Sequence, residues 1–141
     1  MTLEQDRAKE IAVRMWGCIR DMTPGDLARV TGSSWSDQIF LVTGFFIHNL
    51  KGSAIKQMLL AAEITPEEAE CIRDHNDCAL CACMPEDTGC CGCPLEDCTD
   101  YDGLYQHAVM RCNSWVHCTD SLNYRKFVRA CDDIVRCVKE W

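Results

Sequence analysis

Seven of the chain's thirteen cysteines fall in one stretch, His75 to Tyr101, HNDCALCACMPEDTGCCGCPLEDCTDY. They are Cys78, Cys81, Cys83, Cys90, Cys91, Cys93 and Cys98. Two CxxC pairs stand out, Cys78/Cys81 and Cys90/Cys93, with eight residues between them. A CxxC pair lets two sulfurs reach one ion from a tight turn, and four thiolates from two such turns make the tetrahedral set that Zn²⁺ accepts. Cys78, Cys81, Cys90 and Cys93 are therefore the expected ligands. Cys83, Cys91 or Cys98 can stand in for a member, all seven could serve two ions, and His75 can act as ligand or as a donor behind the ligands.

The rival chemistry is an iron–sulfur cluster, which also uses four thiolates. Cys93-Pro94 echoes the closing Cys-Pro of bacterial ferredoxins, but the tight C-x2-C-x2-C run is absent. Zinc is accordingly preferred. Thiols without a stable metal, reduced or paired as disulfides, are the third expectation. Thirteen is odd, so complete internal pairing cannot occur.

The string Cys78-Ala-Leu-Cys81, then Cys90-Cys-Gly-Cys93-Pro94-Leu95, then Cys98 and Tyr101, resembles a CxLC…CxxCPL…C…Y motif of small uncharacterised phage and bacterial proteins. The likeness covers about 25 residues. It implies a structural metal knuckle in a phage or bacterial accessory protein, followed by a helix, with no known reaction attached. Cys83 and Cys91 are additions to that pattern, and the Cys98–Tyr101 gap is short for it.

Catalytic patterns are sparse. An open catalytic zinc usually has histidine among its ligands and a carboxylate nearby, whereas this cluster is dominated by cysteine. A nucleophilic pair would have to come from His107 or His117 with Cys112 or Cys118, at helical spacings that do not share a face. No phosphate-binding loop, dinucleotide fingerprint or GxSxG is present. No catalytic residue is assigned, and the carboxylates of the middle are expected to be a solvated face.

Charge narrows the partners. The formal charge is −8, and Glu63 to Asp102 carries twelve acids against the single base Arg73. The remainder is net positive by three. Phosphate binding needs an excess of Lys and Arg, so direct nucleic-acid binding by the acidic middle is disfavoured and a basic protein partner is allowed. The first residues, MTLEQDRAKE, lack a basic-then-apolar secretion signal, and the longest uncharged run, Gln38 to Leu50, is too short to span a bilayer. A cytoplasmic protein without a membrane partner is expected, and in a reducing compartment clustered cysteines favour metal or redox chemistry.

The elements that must hold the cluster are helical, and 141 residues make one domain. Its parts are an N-terminal helical group (1–64), a helix with the cysteine-rich loop (65–100) and a C-terminal helical pair (101–141). The expected fold is all-α, six or seven helices with a metal-bound loop between the groups. The first helix should run from about residue 3 to about 21, opened by a Thr2/Gln5 capping box, with Cys18 a buried thiol on its apolar stripe. Thr23-Pro24-Gly25-Asp26 opens a short second helix ending near Gly32, and Ser34 with Asp37 opens a third. The run from Pro24 to Phe46 loosely resembles a helix-turn-helix, yet it holds no Lys or Arg between Arg29 and Lys51, so two packed core helices are the better expectation.

The third helix is apolar on nearly all sides, which suits a bundle centre or a surface for self-association. His48 is expected in the core, with a break at Asn49–Gly52 before a helix through Ile55, Met58, Leu59 and Ala62. Thr65-Pro66-Glu67-Glu68 opens a helix expected to carry Cys71, Ile72, His75 and Cys78 toward the cluster. Pro85, Gly89, Gly92 and Pro94 exclude long regular structure afterwards, and a loop of that length needs a constraint that metal–thiolate bonds would supply. Two more helices follow, from after Thr99 and from near Ser121, with Cys112 and Cys131 facing each other and Cys118 and Cys137 at the margins.

Together these features predict a non-enzymatic accessory or regulatory protein in which a metal fixes an acidic loop for a protein partner, in one version a phage-encoded inhibitor of a host protein. The competing functions are an iron–sulfur or thiol redox protein and a metal store or chaperone.

Overall fold

The computed structural model describes residues 2–32, 45–83, 93–95 and 102–141. Among the described residues the protein is all-α, with seven helices and no strand. They are α1 (Gln5–Arg20), α2 (Pro24–Thr31), α3 (Phe45–Leu60), α4 (Pro66–Arg73), α5 (Ala79–Cys83), α6 (Leu104–His117) and α7 (Ser121–Lys139). The expected start of a helix at Ser34–Asp37 lies outside the described residues, as do Cys90, Cys91, Cys98 and Tyr101. No described helix is long and apolar enough to cross a membrane.

Four helices form a closed ring of neighbours: α1 packs on α7, α7 on α6, α6 on α3 and α3 on α1. α2 lies on α3, while α5 wedges against α1 and α4. Each member contributes an apolar stripe at three- and four-residue steps, the period that keeps side chains on one helix face. On α1 the stripe is Ala8, Ile11, Ala12, Met15, Trp16 and Ile19. On α7 it is Phe127, Ala130, Cys131, Ile134, Val135 and Val138. Full burial of such side chains contributes about 1.5–3 kcal/mol each, the main term holding the ring together. Polar staples fix its register: Arg20 Nη1 on Asp132 at 2.9 Å, Tyr124 Oη donating to the Met22 carbonyl at 2.8 Å, and Lys9 Nζ donating to the Trp141 carbonyl at 3.1 Å.

Two helix starts form as their local chemistry dictates. Thr23 with Asp26, and Thr65 with Glu68, are complete capping boxes with proline in the first turn, worth about 1 kcal/mol each. α2 ends at Gly32, whose φ of 82° lies in the left-handed region open to glycine.

Four expectations need correction. The Thr2/Gln5 box does not form: Glu4 is the N-cap, with no side-chain cap bond. Leu3 is instead buried, and its N–H donates to the Ala82 carbonyl of α5 at 3.1 Å, so packing against α5 sets where α1 begins. The break at Asn49–Gly52 is absent, because Ile47, Leu50, Lys51, Ala54, Ile55 and Met58 are buried along one uninterrupted helix, which ends at Leu60. That burial outweighs the roughly 1 kcal/mol cost of Gly52. His48 is on the exposed side of α3, its Nδ1 3.9 Å from Asp77. Finally, α4 stops at Arg73, so His75 and Cys78 are not on a helical face with Cys71.

One buried ion pair joins the first helix to the middle of the chain. Arg7 Nε and Nη2 meet the two Glu68 carboxylate oxygens at 2.6 and 2.9 Å, and Nη2 also donates to the Glu63 carbonyl at 2.8 Å. The guanidinium hydrogen bond draws the Glu68 carboxyl down to about 2. Glu68 is thus a buried structural carboxylate and not part of a solvated acidic face.

Candidate thiolate site

The first CxxC pair is positioned by a turn. After the Asp74 C-cap of α4 the chain passes through Asn76 at φ 62° and Asp77 at φ 55°, both left-handed. Asn and Asp are the side-chain-bearing residues that tolerate this conformation best. The reversal brings Cys78 to the threshold of α5, where its N–H donates to the His75 carbonyl at 3.2 Å and its own carbonyl accepts from Ala82 N–H at 3.1 Å.

At that point the Cys81 thiol and the backbone N–H groups of Cys81 and Leu80 face Cys78 as donors that act on its sulfur. These donors favour the thiolate. The Cys81 thiol contributes most, burial opposes it, and the Cys81 N–H, the Lys51 charge and the Leu80 N–H add to the descent, which brings Cys78 to about 6.

Lys51 is the positive group of the site. It is only 2 % exposed, and its Nζ donates to the Asn76 carbonyl at 3.1 Å and to Tyr105 Oη at 3.0 Å. The same ammonium sits 4.9 Å from the Tyr105 ring centroid, and Tyr105 meets Trp16 edge-on at 6.1 Å. Both hydrogen-bond partners are neutral. A buried ammonium is costly unless negative charge lies near it, and the Lys51 charge in turn favours the thiolate of Cys78.

The neighbouring candidates take other roles among the described residues. His75 Nδ1 lies 2.7 Å from the Cys71 carbonyl. A carbonyl only accepts, so Nδ1 carries the proton and Nε2 the lone pair, the arrangement that suits a metal-binding imidazole. The Cys83 thiol donates to the Leu80 carbonyl at 3.2 Å, and burial pushes it up. Cys93 packs partly buried against the core beside the buried Leu95. The next carbonyl, of Pro94, accepts from the Cys137 thiol of α7 at 3.2 Å, which ties the second motif to the bundle. Among the described residues no three His, Cys, Asp or Glu groups converge as a metal site. Cys90, one of the four expected ligands, lies outside the described residues.

The remaining sulfurs behave as core or surface thiols. Cys112 and Cys131 are buried and near enough for one to act on the other; burial pushes Cys112 up to about 12 and Cys131 well above its ordinary range. Cys18 was expected to be buried; it is half-exposed on the rim of an open depression of about 730 Å³ bounded by Arg14, Asp21, Arg29 and Glu63. Cys118 is exposed and donates to Asp120 Oδ2 at 3.4 Å. His107 is exposed while Cys112 is buried, so that nucleophilic pair is not assembled.

Sequence reasoning missed Lys51, Tyr105 and Cys137. Lys51 carried a signal, since it is a lysine on the apolar stripe of Ile47, Leu50, Ala54 and Met58. Tyr105 and Cys137 carried none, because their roles depend on contacts with distant residues. Comparison with protein-family models, with curated proteins and with solved structures finds no match for this chain.

Proposed function

We propose that this is a non-enzymatic accessory or regulatory protein whose cysteine-rich segment is shaped by a zinc ion on Cys78, Cys81, Cys90 and Cys93, and which acts by binding another protein. What supports the reading is the paired CxxC spacing, together with the Cys81 thiol, the backbone N–H groups of Cys81 and Leu80 and the buried Lys51, all of which favour the thiolate of Cys78. Metal ligation requires the deprotonated thiol, and a sulfur that is ionised near neutral pH meets that requirement with little proton cost. Zinc would supply the constraint for Met84 to Asp100, a segment with five carboxylates and no base. Likeness to the phage and bacterial cysteine motif and the charge of this segment favour a basic surface of a host protein as the partner.

Hydrogen exchange across His75–Tyr101, with zinc supplied or chelated, tests the metal. Exchange should slow on zinc addition in the parent chain and should not respond in Cys78→Ser or Cys93→Ser. Equal exchange under both conditions in the parent overturns the reading. Recovery of a partner should fall on charge reversal at Glu86, Asp87, Glu96 and Asp97; recovery insensitive to those changes removes the acidic segment as the docking element.

A second reading rests on the same contact. A low-pKa thiolate touching a second thiol is also the arrangement of a redox dithiol. Brown colour in an anaerobic preparation would favour an iron–sulfur centre, several weakly held ions per chain a metal store, and a reversible Cys78–Cys81 disulfide the redox function.

A further inference from the structure

The side of the bundle made by α6 and α7 inverts the charge of the rest of the protein. From Gly103 to Cys131 there are four cations, Arg111, Arg125, Lys126 and Arg129, against the single carboxylate Asp120, and the rest of α7 adds Arg136 and Lys139 against Asp132 and Asp133, in a chain of net charge −8. Asp120 is already engaged as the N-cap of α7. All four cations are exposed, and none makes an ion pair with a described residue. By contrast Arg7, Arg14, Arg20, Arg29 and Arg136 are each paired with a carboxylate.

Apolar side chains are interleaved with these charges. The exposed large hydrophobics among the described residues are Leu60, Met110 and Leu122, and the last two, each 51 % exposed, lie on this side. Leu122, Arg125, Lys126 and Arg129 recur at three- and four-residue steps and so share one face of α7. Asp132, paired with Arg20, marks the flank of α7 that meets α1. Lys126 stands roughly 120° around the helix from it. On α6, His107, Met110, Arg111 and Ser114 enclose a shallow depression of about 120 Å³.

We propose that this side of the α6–α7 hairpin is a docking surface for an acidic protein segment that carries apolar side chains among its carboxylates. Exposed guanidinium and ammonium groups match carboxylates, and the exposed Met and Leu match apolar anchors, the combination by which a charged amphipathic segment is held. Nucleic acid fits less well. Among the described residues of α6 and α7 no Trp, Phe or Tyr is fully exposed for base stacking. The molecule would then present one acidic and one basic docking element.

The test uses the full chain and a labelled peptide of about twenty residues with Glu and Leu at helical spacing, followed by fluorescence anisotropy. The comparators are a peptide with every Leu replaced by Ser and a single-stranded DNA of matching charge. The Glu/Leu peptide should bind, equally well with zinc chelated, and more weakly as salt rises. R125E/K126E/R129E should weaken binding by about tenfold or more, with an unchanged circular dichroism melt. Leu122→Ser should weaken it by about threefold, the effect of a lost apolar contact. Absence of binding, equal binding of the Leu-free peptide, or tighter binding of the DNA strand overturns the proposal. So does self-association abolished by the triple variant, which would assign the face to a second copy.

Discussion

Glu68→Gln removes one negative charge from a buried site while keeping the shape of the side chain. In the native protein the carboxylate receives Arg7 Nε at 2.6 Å, Arg7 Nη2 at 2.9 Å and the Thr65 N–H at 2.9 Å. These bonds, the Arg7 hydrogen bond first, lower the carboxyl from its ordinary 4.5 to about 2. At about 1.4 kcal/mol per pH unit the depression corresponds to roughly 3 kcal/mol of stability. Arg7 retains 31 % side-chain exposure, so water screens part of the pair and a loss of about 2 kcal/mol is expected. For a domain of this size that lowers Tm by about 4–8 °C. Because the folded pKa is depressed, the stabilisation is complete above the unfolded value of 4.5 and disappears as pH falls toward about 2. Urea denaturation of chelated protein at pH 7 and at low pH measures both effects, with metal release excluded. Glu68→Gln should be less stable than the parent at pH 7 and should lose less on acidification. Glu68→Ala, which also removes the helix cap, should lose about 1 kcal/mol more. A Glu68→Gln protein within about 0.5 kcal/mol of the parent at pH 7, a change typical of ordinary surface substitutions, would refute the assignment of this pair as the link between α1 and α4.

Other outcomes follow from the same structure. Alkylation of chelated native protein should modify Cys78 with a midpoint near pH 6, while Cys112, raised to about 12, should react only on unfolding; mass mapping of the modified sites checks both. Lys51→Met should shift the Cys78 midpoint upward, since it removes the positive charge acting on that sulfur. Gly32→Ala should cost about 1 kcal/mol in urea denaturation, because its φ of 82° disfavours a Cβ although nothing crowds the site. Phe127→Ala, a fully buried truncation on α7, should cost about 3–5 kcal/mol in the same assay.

What the sequence disclosed was local. The Thr23/Asp26 and Thr65/Glu68 boxes are written in four consecutive residues and close without help from elsewhere. The apolar stripes of α1, α6 and α7 are likewise periodic within one element. Contacts between distant segments were not disclosed. The Thr2/Gln5 box lost to Leu3, whose burial against α5 depends on residues some eighty positions away. Gly52 looked like a break because the burial that overrides it comes from other helices. Within the candidate site the Cys78/Cys81 pair was legible in the motif. Its supporting groups were not, because Lys51 reaches Asn76 and Tyr105 only through the folded ring.

The most direct measurement is native mass spectrometry of the purified chain with elemental analysis and thiol counting. The account predicts one zinc per chain and four thiols that become reactive only when zinc is chelated, with Cys78, Cys81, Cys90 and Cys93 carrying the label. A metal-free chain in which Cys78 and Cys81 are bonded to each other, or one carrying iron and sulfide, would contradict it.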